Sequence, residues 1–404
     1  MKWEKVKLGD VCEITSSKRI FYSEYVDDGV PFYRSKEIIE SDEGKAIENP
    51  LYISVDKYNE IKEKFGVPQT GDMLLTSVGT IGIPYIIKKN DCFYFKDGNL
   101  TWFREFRDGL NSKYLYYWVK SSEGTGILYN ATIGSSQKAL TISALKNIKI
   151  SLPPRSVQDK IVEVISAYDD LIKNNQKQIK LLEEAAQRFY KEWFVDLRFP
   201  GHENTKIVDG VPEGWSIYPF SSKVDIMSGG TPKTSIPDYY NGKIPFYTPK
   251  DNDGAFFAYK TQMNITEGGL KNCNSRLYPP KTVIITARGT VGKTTILAVP
   301  MAMNQSCYAL KMKENDAPYY LFFALNNEIK ALQTMANGGV FNTIIGKTFD
   351  SINIQIPKDP LIYGFEETVR PFMEQIKNKL QANSKLVEAR DRLLPKLMSG
   401  EVKV

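Results

Sequence analysis

Val30-Pro31-Phe32-Tyr33-Arg34-Ser35-Lys36 is answered further along the chain by Ile244-Pro245-Phe246-Tyr247-Thr248-Pro249-Lys250. Met73-Leu74-Leu75-Thr76-Ser77-Val78-Gly79-Thr80-Ile81-Gly82 is likewise answered by Val283-Ile284-Ile285-Thr286-Ala287-Arg288-Gly289-Thr290-Val291-Gly292. Working outward, Trp3 matches Trp215 and Leu115 matches Leu321. Ile148-Lys149-Ile150-Ser151-Leu152-Pro153 matches Ile352-Asn353-Ile354-Gln355-Ile356-Pro357. The offset between copies drifts slowly, as small insertions and deletions in loops produce. The two copies fill almost all of the 404 residues, and each ends in a long stretch that alternates polar and apolar side chains. Matched blocks in constant order mean a tandem repeat: two similar surfaces on a spacer, suited to an extended and roughly symmetric partner.

Inside each copy, short apolar runs lead into Gly-Thr at 73–78 and 283–286. Alternating runs at 148–152 and 352–356 stop at proline, as strands do. Helical patches at 113–120 and 319–329 lie between them. The expected fold class is α+β: two similar α/β units separated by two long helices that pack as an antiparallel coiled coil with pseudo-twofold symmetry. The expected boundaries are 1–154 for the first unit, 155–195 for the first helix, 196–213 for a linker, 214–358 for the second unit and 359–404 for the second helix and tail. Each unit is then about 150 residues, an ordinary domain size.

The helices read as heptad seams. Ile161, Ile165, Tyr168, Ile172, Ile179, Leu182, Ala186, Phe189 and Trp193 recur at steps of four and three, with Asn175 in the missing place. Phe365, Val369, Phe372, Ile376, Leu386, Leu393 and Leu397 repeat the register, interrupted by Lys379, Asn383 and Arg390. Each helix is roughly 33 residues, hence about 50 Å long. Neither seam is apolar enough to stand alone, so each is expected to pack on the other. A pseudo-twofold axis makes them antiparallel. The pairing residues are then Ile172, Asn175 and Ile179 on one helix and Ile376, Lys379 and Asn383 on the other, with Asn175 near Asn383 and Ile179 near Lys379. A buried Asn pair fixes register at some cost in stability. Between positions 155 and 192 there are seven basic and seven acidic side chains, which makes the first helix a spacer and not an electrostatic grip. Phe199-Pro200-Gly201-His202 and Val211-Pro212 end the helix and let the chain cross to the second copy.

Composition excludes much chemistry. The one histidine, His202, sits in the linker, so histidine acid–base catalysis and histidine metal ligation are not expected. Cys12, Cys92, Cys273 and Cys307 form no C-x-x-C pair and read as reduced thiols of a cytoplasmic protein. The charged start Met1-Lys2-Trp3-Glu4-Lys5 lacks the apolar core of a signal peptide, and no apolar run is long enough to cross a bilayer. Ala287-Arg288-Gly289-Thr290-Val291-Gly292-Lys293-Thr294 fits a relaxed P-loop. The next residues, Thr295-Ile296-Leu297-Ala298-Val299-Pro300, are strand-like and end at proline, and the first copy reads Val78-Gly79-Thr80-Ile81-Gly82-Ile83-Pro84, with no lysine. The shared element is a Gly-Thr turn after a strand. No catalytic residue and no metal ligand set is expected. The net charge of +6 is compatible with nucleic acid without establishing it. A P-loop nucleotide-binding enzyme and a coiled-coil protein-interaction scaffold stand as the alternative functions.

The ends of the helices carry a resemblance. Arg188-Phe189-Tyr190-Lys191-Glu192-Trp193-Phe194-Val195-Asp196-Leu197-Arg198-Phe199-Pro200-Gly201 and Leu393-Leu394-Pro395-Lys396-Leu397-Met398-Ser399-Gly400-Glu401-Val402 look like the two spacer regions of type I restriction–modification specificity subunits. The Trp-x-x-x-x-Leu start at Trp3 and Leu8, echoed by Trp215 and Phe220, and the strand-Gly-Thr-x-Gly turns resemble that family's target-recognition domains. The resemblance implies a subunit without catalytic activity in which each domain reads one half of a split double-stranded DNA site and the helices measure the gap. It implies two modification (adenine methyltransferase) subunits and restriction (endonuclease and translocase) subunits as partners. No cofactor is then expected on this chain; S-adenosylmethionine, ATP and Mg belong to the partners.

The repeat suggests how to sort DNA contacts. Polar positions equal in both copies suit scaffold or phosphate contacts, which carry no sequence information. Positions that differ suit base readers, because the half-sites differ. Lys36/Lys250 and Thr80/Thr290 fall in the first group. Arg34/Thr248, Val78/Arg288 and Ile83/Lys293 fall in the second. Ser77 and Gln137 complete the candidates, Gln137 within Ser135-Ser136-Gln137, which is set against Gly339-Val340-Phe341. Arg288→Ala should relax sequence preference by roughly tenfold at one base position, the scale of a lost base contact. Binding measured on specific and random DNA checks this; an equal loss on both would remove Arg288 from the base readers.

Overall fold

Met73–Thr76 and its counterpart Val283–Thr286 lie inside their sheets, and every residue of both strands is buried. The computed structural model describes residues 3–45, 47–107, 109–134, 138–335, 343–344 and 346–404. The chain divides into two compact units, Met1–Ile172 with Lys385–Val404 and Lys173–Ser384, so each unit takes a segment of both long helices.

In the first unit, a four-stranded sheet runs in the order Glu13–Thr15, Leu100–Arg104, Met73–Thr76, Pro84–Ile86. A second runs Tyr25–Val26, Leu51–Ile53, Val30–Tyr33, Tyr94–Phe95. In the second unit, a five-stranded sheet runs Val224–Ser228, Cys307–Met312, Val283–Thr286, Thr294–Leu297, Phe257–Ala258. A three-stranded one runs Asn264–Ile265, Tyr240–Tyr247, Ala302–Met303. Pairing is mostly antiparallel, but Phe32 faces Tyr94 and Phe246 faces Ala302 in parallel ladders, so the repeat extends to strand direction. Each unit is closed by a pair drawn from its two ends: Glu4–Lys7 with Lys149–Leu152, and Ser216–Pro219 with Asn353–Ile356. The next amide repeats as well, Leu8 donating to Ile148 at 2.9 Å and Phe220 to Ile352 at 2.8 Å. The fold is α+β, built twice.

The long helices span Arg155–Tyr190, continued by one π-helical turn at Lys191–Val195, and Asp359–Ser399. In the second unit they run antiparallel: Phe189 stacks on Phe372, while Asn175 Nδ2 donates to Asn383 Oδ1 at 2.8 Å. Asn175 is 8% exposed; Ile179 and Ile376 are buried in the same core, and Lys379 is half-buried. In the first unit, Ile161 and Ile165 pack with Leu394, Leu397 and Met398, and Ile172 is buried. There Arg390 Nη1 donates to Asp169 Oδ1 at 2.7 Å, and Tyr117 donates to the other oxygen at 2.8 Å. The arginine that interrupts the seam is thus neutralised by a carboxylate that is itself held.

The heptad pattern stops describing the first helix near its end. Tyr190 and Phe194 are buried there, while Phe189 and Trp193 of the expected seam are only partly so. Tyr190 packs against Tyr320, Phe323 and Phe365. The helix end is covered from a second side by the unit's own core, which widens the apolar face beyond a two-helix seam. Opposite it, the helix Pro318–Met335 begins against Glu366, whose carboxylate accepts the Tyr320 amide at 2.8 Å. Burial pushes that carboxyl up to about 7.

The linker contains a small hairpin, Ile207–Val208 with Val211–Pro212. Asp209 and Gly210 turn it with φ of 50° and 78°, the backbone that an Asp-Gly turn adopts. Among the described residues no helix is long and apolar enough to cross a membrane.

The asparagine pair yields a stability prediction. Asn175→Leu or Asn383→Leu alone breaks the inter-helix amide bond at a buried position and should destabilise by about 1–3 kcal/mol. The double leucine variant should come within about 1 kcal/mol of the wild type or exceed it. Urea unfolding decides between these, and single variants as stable as the parent would show that the pair adds nothing.

Candidate nucleic-acid interface

The two strands that carry the repeat end in a threonine, and that hydroxyl shapes the turn beyond it. Thr76 Oγ1 accepts the Ile83 amide at 2.9 Å, and Thr286 Oγ1 accepts the Lys293 amide at 3.0 Å. The main chain closes the same loop twice. Thr76 donates to Ile83 at 3.0 Å and Thr286 to Lys293 at 2.9 Å; Gly82 returns to Thr76 at 2.8 Å and Gly292 to Thr286 at 2.9 Å. Gly79 and Gly82 have φ of 78° and 87°, and Gly289 and Gly292 have 79° and 80°. That left-handed backbone is why the motif needs both glycines.

Other amides tie this turn to neighbouring loops. Ser77 donates to Asn99 at 2.8 Å, as Ala287 does to Ser306 at 2.7 Å. Lys96 donates to Tyr33 at 2.9 Å, as Asn304 does to Tyr247 at 3.0 Å. Leu140 donates to Ser77 and Ile344 to Ala287, both at 2.9 Å. After the Phe-Tyr strand, Arg34 N donates to Glu37 and Thr248 N to Asp251, both at 2.8 Å. Each unit therefore presents the same cluster of loops, fixed by the same main-chain bonds, with different side chains on its rim.

The candidate residues separate on this frame. Lys36, Thr80, Lys250, Arg288, Thr290 and Lys293 are exposed. In the second unit Thr290 Oγ1 donates to the Pro249 carbonyl at 3.4 Å, which brings the Gly-Thr turn against the loop holding Thr248 and Lys250. Lys36 Nζ lies 3.7 Å from Glu40. Arg34 is partly buried and committed to Glu37, with Nη2 2.6 Å from Oε1. Thr248 Oγ1 is bound to Asp251 at 2.7 Å. Ser77 is buried with its hydroxyl 2.6 Å from Thr101 Oγ1, which makes it part of the frame and gives it no access to a ligand. Gln137, with Ser135 and Ser136, lies outside the described residues, as do Gly339, Val340 and Phe341.

Reading the sequence passed over Thr76 and Thr286, and over Glu37 and Asp251. The available signal was a threonine at the same strand end in both copies, and an acidic residue three places after Arg34 and Thr248, the spacing at which a side chain reaches back to cap a turn. Glu183, on the first long helix, is a further half-buried carboxylate in the second unit. It accepts the Phe256 amide, and burial, with Asp253 and Glu184 adding to it, pushes its carboxyl up to about 7.

The turn that resembles a P-loop is a strand-to-strand connection. Thr294–Leu297 comes directly after it and pairs antiparallel with Val283–Thr286, and Thr294 Oγ1 donates to Asn326 at 2.7 Å. A phosphate cradle requires a helix N-terminus there. Among the described residues no group of three or more His, Cys, Asp or Glu side chains is placed to hold a metal ion.

The chain is similar to known proteins along its length. The family model described as the type I restriction modification DNA specificity domain matches residues 1–184 and 212–381. The type I restriction enzyme MjaIX specificity subunit of Methanocaldococcus jannaschii is 28% identical, the alignment covering 100% of this chain and 94% of that protein. The HindI specificity subunit of Haemophilus influenzae is 23% identical over 99% of both chains. The solved type I restriction–modification S subunit from M. genitalium has the same fold, with a TM-score of 0.60 at 16% identity, covering 98% of this chain and 96% of that one.

The threonine frame can be tested in isolation. Thr286→Val keeps the shape and removes the acceptor for the Lys293 amide, so it should destabilise by about 1–2 kcal/mol. Thr286→Ser should recover most of that loss. Urea denaturation of the three proteins is the measurement, and equal stabilities would mean that the hydroxyl does not hold the turn.

Proposed function

Since this chain belongs to the family of type I restriction–modification DNA specificity domains, we propose that each of its two units reads one half of a bipartite double-stranded DNA site. The observation that carries this reading is the duplicated loop frame with different side chains on its rim: Val78 and Ile83 in one copy stand where Arg288 and Lys293 stand in the other. A backbone repeated bond for bond presents side chains at comparable depth in two grooves. Different side chains then select different bases. The basic residues on the rim supply the phosphate attraction that any DNA complex needs.

In this reading residues 1–154 and 214–358 are the recognition domains, 155–195 and 359–404 the spacer helices and 196–213 the connector. The helix pair sets the number of unspecified bases between half-sites. The chain serves as the DNA-recognition subunit of a type I restriction–modification complex and has no catalytic role of its own. Two modification subunits carry S-adenosylmethionine and methylate adenine; restriction subunits carry ATP and Mg. The complex works in the cytoplasm, where it meets chromosomal DNA.

The test is to express the chain with its cognate modification subunit and map genomic adenine methylation by sequencing. The expected result is a split motif, two defined halves separated by a gap of constant length. A contiguous motif, or methylation without sequence preference, would overturn the reading.

A further inference from the structure

Strand register equates the two units residue by residue. Ile14 faces Phe103 and Phe103 faces Met73; Ile226 faces Leu310 and Leu310 faces Val283. Equal steps onward from Ile14 and Ile226 reach Arg19 in the first unit and Thr231 in the second. On the other side of the cluster, Lys96 and Asn304 are equivalent because both donate to the Tyr33/Tyr247 carbonyl. Asn99 and Ser306 are equivalent because both accept from the Ser77/Ala287 amide. Between these fixed points stand Asp97-Gly98 in one copy and Gln305 alone in the other.

The side chains meet across this gap in both units, with unlike chemistry. Arg19 Nε donates to Asp97 Oδ2 at 2.9 Å. Thr231 Oγ1 donates to Gln305 Oε1. Arg19 is 69% exposed, and both Thr231 and Gln305 are exposed. An exposed pair of this kind contributes little to stability, and the loops are already held by main-chain bonds. A bridge at the same place in both copies, made from different residues, is therefore better explained by what it presents than by what it holds.

We infer that Arg19, oriented by Asp97, and Gln305, oriented by Thr231, are further copy-specific base readers of the two half-sites. This inference rests on the DNA-reading function proposed above. The Arg19–Asp97 bond uses Nε, and the terminal amino groups form the fork that matches guanine O6 and N7. Thr231 occupies one lone pair of Gln305 Oε1. The other can accept the adenine N6 amino group while Nε2 donates to N7, the two-point contact by which Gln reads adenine. The first unit accordingly selects guanine at this point, and the second selects adenine.

The experiment compares methylation motifs for the complex of the full chain with its modification subunit, as wild type, Arg19→Ala, Arg19→Lys and Gln305→Ala. Arg19→Ala should reduce preference for a guanine about tenfold at one position in one half, the size of a lost two-point contact. Arg19→Lys keeps the charge but not the fork and should relax the same position. Gln305→Ala should relax an adenine in the other half. Should a variant abolish methylation, sequences selected by its complex from a randomised DNA library provide the same readout. The inference is overturned if all three variants keep the wild-type motif and only lower methylation uniformly, or if the same half is relaxed by Arg19→Ala and Gln305→Ala. A wild-type complex with no split motif would instead overturn the function on which the inference rests.

Discussion

A single hydroxyl, buried at the end of a sheet strand, holds the loop end of each unit in shape. Thr76 and Thr286 are both fully buried, and each accepts an amide from across its turn. A buried hydroxyl without a partner is expensive, so closing the turn onto it is favoured. Once it closes, the next amides, those of Ser77 and Ala287, point at the Asn99 and Ser306 carbonyls and draw in the loop before the neighbouring strand. The positive-φ glycines, the hairpin that replaces a phosphate cradle and the exposure of Arg288 and Thr290 are all consequences of that closure.

Much of the fold was legible because it is written twice. The Gly-Thr turns, the terminal Trp3/Trp215 pair and the proline-stopped runs marked the same elements in both copies, so a pattern weak in one copy was checked by the other. The long helices were legible from their seam. Their ends were not, because Tyr190 and Phe194 are buried by a core assembled from distant segments around Tyr320 and Phe365, and heptad spacing registers only the partner helix. The site was legible as a set of loops and poorly as a set of side chains. The acidic residue three places on is a local signal for the Arg34–Glu37 pair, but nothing local to Ser77 says that it turns inward to Thr101. Arg19 and Asp97 stand far apart in sequence, and only the strand register brings them together.

The helices show how an imperfect seam is made tolerable. Among the polar interruptions, Asn175 is bonded to Asn383, and Arg390 to Asp169, which Tyr117 also binds. Apolar side chains such as Ile179 and Ile376 tolerate sliding, because dispersion contacts are non-directional. A directional bond at one level does not. The polar pairs thus select one register among several that hydrophobic burial alone would leave close in energy.

The loop frame is made almost entirely of main-chain bonds, and it closes over Asp97-Gly98 in one unit and over Gln305 alone in the other. Main-chain bonds do not depend on which side chain a residue carries. Substitutions on the rim, and even a change of loop length by one residue, can therefore accumulate without compensating changes in the core. Selection for fold and selection for target then act on separate sets of positions, so a lineage can change the DNA sequence it reads through single neutral-to-stability steps while the protein beneath remains the same.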